Sequence, residues 1–287
     1  MQSLEAELAR ARDLDVGELA DAIETVGFEC TRCGACCKSE ADDPHTATVF
    51  PDEVRRLRGA DGGETDGADG AGGGDDAPAE RDWRDVARPM PYGLTAGDDG
   101  AEGETFEWAL QTDACGDCVF YREASETPPG AGEAGEADES GLGACTVHDD
   151  RPLICETYPF SVGLGGTSQP MGETVDSVAL GAEREAEDGD GAGSADAGPD
   201  GATSADLNPD DAGPTLRAHE CEGLGRDIDR ADAESLAAAL KERAVRELEE
   251  AIGVRDAYEP HDLDPGEAVV HDSEGAKRPD GTPLDET

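Results

Sequence analysis

Four thiols fall within eight positions of the stretch FECTRCGACCKSE, residues 28–40: Cys30, Cys33, Cys36 and Cys37. Five more follow along the chain: Cys115 and Cys118, then Cys145 and Cys155, then Cys221. A C-x-x-C loop can turn two thiolates onto one ion, and Gly34 gives the backbone room to do it. The run C-x-x-C-x-x-C is similar to ferredoxin loops, in which three thiolates take corners of an iron–sulfur cube. Here the next cysteine is adjacent, not three residues on with a proline behind it. The radical-SAM spacing C-x-x-x-C-x-x-C is absent as well. Side chains of adjacent residues diverge, so Cys36 and Cys37 are expected to serve two places. Three thiols of the loop then face one centre, while the fourth reaches a second that is shared with distant cysteines. The eight thiols other than Cys115 suffice for two four-ligand sites, and their pairing stays open. A redox dithiol or a set of inert buried thiols is the plainer alternative.

The blocks CTRCGACC (Cys30, Cys33, Gly34, Cys36, Cys37), CVF (from Cys118), CTVHDDRPLICETYPF (Cys145, Arg151, Pro152, Cys155, Tyr158, Pro159, Phe160) and CEG (Cys221, Gly223) together resemble the CxxCxxCC cysteine-cluster family. The resemblance covers about residues 28–57 and 105–226, inserts excluded. Members are described as zinc- or iron-chelating or iron–sulfur proteins, and some flagellin lysine methylases share the domain. The resemblance implies Cys30, Cys33, Cys36, Cys37, Cys118, Cys145, Cys155 and Cys221 as metal ligands. The implied cofactor is zinc or iron, the latter as an iron–sulfur cluster in one version. Cys115 lies outside the pattern and reads as a spare thiol, although CGDC is a good chelating turn. His148, three residues after Cys145, could supply a nitrogen ligand, although such a histidine is more often a surface group or a neighbour of the ligands; His45, His219, His261 and His271 have weaker cases. Arg151 suits a contact to sulfur or to a carboxylate. The Tyr158–Pro159–Phe160 run is expected to pack beside the site as core.

These thiols need elements to hold them. Residues 3–26 predict two helices broken near Asp15–Gly17, with Leu4 and Leu8, then Val16, Leu19, Ile23 and Val26, on apolar faces and Gly27 as cap. TATVF (46–50) reads as a strand, and Pro51 opens a short helix with Asp52 and Glu53 in its first turn. TFEWALQ (105–111) reads as a strand leading into Cys115 and Cys118. A last helix is expected over about 231–252, carrying Leu236, Leu240, Leu248 and Ile252, with Gly253 as its stop. The domain reading is a helical segment over 1–27, a cysteine-cluster domain over 28–255, and a disordered tail over 256–287. The fold class is α+β: a small irregular cysteine-cluster domain with flanking helices and acidic disordered inserts at about 59–80, 124–142 and 182–215. The inserts lack cysteine, histidine and aromatic residues, and they interrupt the chain between cysteine blocks, as surface loops around a fixed site do.

The chain has 287 residues, 70 acidic and 22 basic, for a formal charge of −48. Without the inserts it still carries 48 acidic and 21 basic residues, so the folding part is acidic too. Only Lys38, Lys241 and Lys277 are lysines, against nineteen arginines. This balance suits a protein of molar salt, where the Debye length is about 3 Å and self-repulsion is screened. An acidic disordered adaptor is the alternative. Such a charge argues against nucleic acid or an anionic membrane as partner. The acidic N-terminus carries no apolar signal core, so a cytoplasmic protein is expected. Nine cysteines, an odd number, then point to metal or redox chemistry in a reducing compartment. No phosphate loop, nucleotide fingerprint or nucleophile–base motif stands out. The expected function is chelation of zinc or iron. The alternatives are an iron–sulfur oxidoreductase, a lysine-methylase-like protein-modifying enzyme, and a structural zinc module for a protein partner.

Overall fold

A computed structural model of the chain describes residues 3–39, 46–60, 81–97, 100–122, 143–170, 172–180 and 214–284. Nearly all of the three acidic inserts, and His45, lie outside the described residues. The helices are α1 (Leu4–Asp13), α2 (Val16–Val26), α3 (Pro51–Gly59), α4 (Trp83–Val86), α5 (Leu153–Glu156) and α6 (Arg230–Ala257). The strands are β1 (Thr48–Val49), β2 (Ala87–Pro89), β3 (Leu94–Gly97), β4 (Gly100–Thr105), β5 (Trp108–Leu110), β6 (Tyr121–Arg122), β7 (Ala144–Cys145), β8 (Phe160–Gly163), β9 (Thr174–Ala179), β10 (Thr215–His219), β11 (Ala268–Asp272) and β12 (Gly275–Lys277). The mixture is α+β, arranged in small sheets of order β1-β5-β2, β8-β10-β9, β12-β11-β4-β3 and β6-β7.

The two expected N-terminal helices form where their periodicity places them. Ser3 and Asp15 accept hydrogen bonds from Ala6 and Glu18 as N-caps, and Gly27 ends α2. Their apolar stripes pack on α6 and, with the β8-β10-β9 sheet, make a first core around Leu19, Ile23, Phe160, Leu216, Leu240 and Leu248. A second core gathers α3, α4 and the β1-β5-β2 sheet around Val54, Leu57, Trp83, Trp108 and Phe120, with Cys37, Cys118, Cys145 and Cys155 in or against it. Pro51 occupies the first turn of α3, and Glu53 closes that turn by accepting from the Phe50 N–H at 3.0 Å.

Two expectations fail. The last helix does not stop at Gly253 but runs to Ala257. Glycine weakens a helix by only about 1 kcal/mol relative to alanine. Here a side chain is what the site cannot take, since a Cβ on Gly253 would stand 2.6 Å from the Ser273 Cβ. The tail expected to be disordered instead carries β11 and β12. All five residues of β11 are buried, and it pairs in parallel with β4 and antiparallel with β12. Asp272 anchors this hairpin by accepting from Trp108 Nε1 at 2.9 Å and from Lys277 Nζ at 2.7 Å.

The connections around the inserts are tight. Arg122 pairs with Ala144 in the β6-β7 ladder, and Ala179 with Thr215 in the β9-β10 ladder. Arg81 N–H donates to the Arg58 carbonyl at 3.2 Å, while Arg58 Nε donates to the Arg81 carbonyl at 2.7 Å. Each long connection thus leaves and re-enters the fold at neighbouring, hydrogen-bonded residues.

Candidate metal centre

The loop after α2 runs from the first core, where Phe28 meets Phe160 edge-on at 5.6 Å, to the second, where Cys37 packs. Two features turn the chain within it. Gly34 sits at φ +74°, and a Cβ there would lie 2.4 Å from the Tyr121 ring, so glycine is required on both counts. Ala35–Cys37 then form one 3₁₀ turn, closed by Cys37 N–H to the Gly34 carbonyl at 2.9 Å. With about three residues per turn, consecutive side chains stand about 120° apart. Cys36 and Cys37 leave the turn in different directions, yet their thiols contact each other and both lie in reach of Cys145.

Backbone bonds bring the distant cysteines to this turn. Cys118 N–H donates to the Cys37 carbonyl at 2.8 Å. Tyr121 pairs with Cys145 in the β6-β7 ladder, and Thr146 N–H donates to the Phe120 carbonyl at 2.8 Å. Cys155 rides on α5, whose first N–H, from Leu153, donates to the buried Glu53 at 2.9 Å. Cys221 arrives by another route. Glu29 N–H donates to the Gly223 carbonyl and Gly225 N–H to the Gly27 carbonyl, both at 3.0 Å, around a Phe28–Leu224 bridge.

The charges the thiols exert on one another outline two overlapping groups, with Cys36 common to both. Cys221 feels Cys33, Cys36 and Cys30, and together with burial they push its thiol up, burial being the larger cause. Tyr158 borders the same group, its phenol raised by burial and then by Cys221, Cys36 and Cys33; its hydroxyl donates to the Glu220 carbonyl. In the other group, Cys37 interacts directly with Cys145 and Cys36 and lies in the field of Cys118. Cys37 holds the Cys145 thiol down to about 7, against the opposing effect of burial. Burial raises Cys118 to about 12 and pushes Cys155 well up, with Cys145 and Cys36 adding to both. Cys36, lowered first by its contact with Cys37 and then by Arg151, touches both groups. Arg151 also lowers Cys145 and Cys155, so its guanidinium serves the sulfurs.

Two residues stand outside the thiol groups. Cys115 is exposed on a turn held by Asp113, whose Oδ1 accepts from Cys115 N–H at 2.7 Å. His148 lies beside Arg151, and burial with that positive charge lowers its pKa; its contact is Asp149 at 3.4 Å. Phe160, from the tripeptide expected to be core, is fully buried.

The donor set fits zinc or iron: eight soft thiols from four chain segments, with a cation beside them. The groups are gathered but not closed. Four thiolates at about 2.3 Å from a zinc lie about 3.8 Å from one another. Among the described residues no three sulfurs are all within 4.8 Å of one another.

Sequence reasoning missed two supports of this arrangement. Glu53 was visible as a first-turn acid, but its second bond, to α5 a hundred residues away, has no local signal. Buried Arg243 of α6 donates to Thr157 Oγ1 at 3.0 Å and to the Phe160 and Ser168 carbonyls, fixing the chain just after Cys155. In the sequence it is one more arginine with a glutamate four residues on.

A family model matches residues 29–179, more than half of the chain, so the protein belongs to the CxxCxxCC family, described as "Putative zinc- or iron-chelating domain". Seven of the eight named thiols lie within that match; Cys221 lies beyond it. No curated protein and no solved structure matches the chain. Among the described residues no helix is long and apolar enough to cross a membrane.

Proposed function

We propose that the protein chelates zinc or iron at two neighbouring four-thiolate positions. One is formed by Cys30, Cys33, Cys36 and Cys221, the other by Cys37, Cys118, Cys145 and Cys155. The observation that supports this reading is the convergence of cysteines from four chain segments on the 3₁₀ turn, where Cys33, Cys36 and Cys30 act on Cys221 and Cys37 contacts Cys145. Metal supplies a charge that outweighs the mutual repulsion of the thiolates, and its binding releases their protons. The residues around it hold the ligands in place: Glu53 positions the helix of Cys155, Arg151 stabilises thiolate character, and Phe120 and Tyr121 cover the inner group. Sites filled by sulfur on every side favour a structural or electron-transfer role over catalysis at an open position. Because Cys36 acts on both groups, a single iron–sulfur centre shared between them is the second reading.

The test is metal content per chain for the wild type, Cys37→Ser and Cys115→Ser, prepared anaerobically in high salt without chelators. Cys37→Ser is expected to lose metal and melt at lower temperature, since structural metal ligation contributes about 10 kcal/mol or more to folding. Cys115→Ser is expected to match the wild type. Metal loss in Cys115→Ser alone would overturn the ligand assignment. A broad visible absorption that bleaches on reduction selects iron–sulfur over zinc.

A further inference from the structure

Glu104, His261 and His271 form a group without any cysteine, and among the described residues they are the one group of three whose ligand atoms all fall within 4.8 Å of one another. Strand geometry explains the first pair. Glu104 of β4 stands opposite Val269 of β11 in a parallel ladder, and His271, two residues on, shares that face. The alternate residue, Asp272, turns to the other face and holds Trp108 and Lys277. His271 is buried, and its Nε2 lies 2.9 Å from Glu104 Oε1. His261 comes from the loop after α6, its ring centroid 5.6 Å from that of His271. The Nδ1 of His261 is shut off from solvent and has no hydrogen-bond partner. A buried imidazole nitrogen without a partner costs free energy unless something fills its lone pair or takes its proton. Two rings wall the place: Phe106 stacks on His271 at 5.5 Å, and Tyr258 meets it edge-on at 4.9 Å.

We propose that these three residues bind a divalent transition-metal cation of the zinc class, at a second site independent of the thiols. Two imidazoles and a carboxylate form a borderline donor set that suits zinc, cobalt or nickel. Three protein ligands leave a further coordination position for water or an exogenous donor. The cation satisfies the orphan nitrogen of His261 and draws the loop after α6 onto the β4–β11 pair.

The experiment titrates the full-length protein, as purified, with cobalt(II) in reducing, chelator-free, high-salt buffer. Total metal per chain, resident plus cobalt, is counted after desalting. The wild type is expected to hold one equivalent more than either His261→Ala or Glu104→Gln, with the thiolate-to-cobalt charge-transfer absorption the same in all three. Each substitution is expected to weaken that equivalent by more than the 10-fold or so that loss of even an outer-shell partner costs. Cys37→Ser is expected to keep the equivalent, so its failure and the failure of the thiol assignment show separately. Equal metal in the wild type and both variants would sink the proposal. So would loss of charge-transfer intensity in His261→Ala, which would make the effect one on the thiols. Using two substitutions, one on a loop and one on a strand, keeps the outcome from resting on the folding of either.

Discussion

Glu53 accepts one backbone N–H from Phe50, at the start of its own helix, and another from Leu153, at the start of the helix that carries Cys155. Burial raises its pKa while both donors pull it back down. Replacing it with alanine strands two N–H groups, each normally worth about 1.5–3 kcal/mol when bonded to a charged acceptor. Glu53→Ala is therefore expected to cost about 3 kcal/mol in chemical denaturation and to lower metal content as α5 loosens. An unchanged denaturation midpoint would show that water replaces the carboxylate. At this scale the sequence was most legible for cysteines, because C-x-x-C spacing is a recognisable chelating pattern and seven of the eight thiols fall in the family match. It was least legible for Glu53, Arg243 and Asp272, whose partners lie across the fold. The same gap hid the histidines: His261 and His271 had weak cases alone, and only the parallel pairing of β4 with β11 sets Glu104 beside His271.

Among elements, the helices were legible because a period of 3.6 shows within a dozen residues, as in α1 and α2. The sheets were legible only in part: TATVF and TFEWALQ do contain β1 and β5, but the other strands and the pairing did not show. Their strands run from two to six residues, too short for an alternation to stand out, and their pairing joins residues far apart, such as Arg217 to both Ser161 and Ser177. The C-terminal hairpin illustrates the cost of that blindness: AVVHD sits among acids and glycines, yet it is buried throughout. Asp272→Ala removes the acceptor of Trp108 Nε1 and leaves the buried Lys277 ammonium with Glu274 alone. A loss of about 3 kcal/mol or more is expected, as for a broken buried pair. Lys277→Met added to Asp272→Ala is expected to recover part of it, and thermal melts that show no recovery would argue that the Trp108 bond is the larger share. The inserts make the opposite prediction. Replacing 61–80 and 181–213 by short glycine–serine links spans ends already held by hydrogen bonds. Loop length costs little in closure entropy, so the shortened chain should keep its metal content and melting temperature within a few degrees. Loss of metal would mean that these segments do more than connect.

For the molecule as a whole, charge decides the conditions. Arginines on α1 and α6 meet acids on neighbouring helices, as in Arg12–Glu249, Arg255–Glu5, and Arg230 with Asp21 and Glu24, while Arg230 also pairs with Glu234 along its own helix. Such exposed pairs are worth little each. Against them stand 70 acidic residues for 22 basic ones. Repulsion wins over attraction in that balance, and salt screens both. The melting temperature is expected to rise steadily from dilute buffer to molar potassium chloride, as the Debye length falls from about 10 Å to about 3 Å. A flat or falling curve would show that the ion pairs outweigh the net charge.

The positions of the proposed thiol sets along the chain carry a consequence in time. Cys37, Cys118, Cys145 and Cys155 all lie between Cys36 and Cys221. The inner set is thus nested wholly inside the loop that the outer set closes. A chain emerging from the ribosome presents a complete inner set before the last outer ligand has been made, and translation proceeds at about 5–20 residues per second. On the proposed assignment the inner metal would be captured first, while Cys30, Cys33 and Cys36 wait as a three-thiol half-site. Cys221 would then be the clasp that completes the centre, fastening the loop after α2 to the segment between β10 and α6.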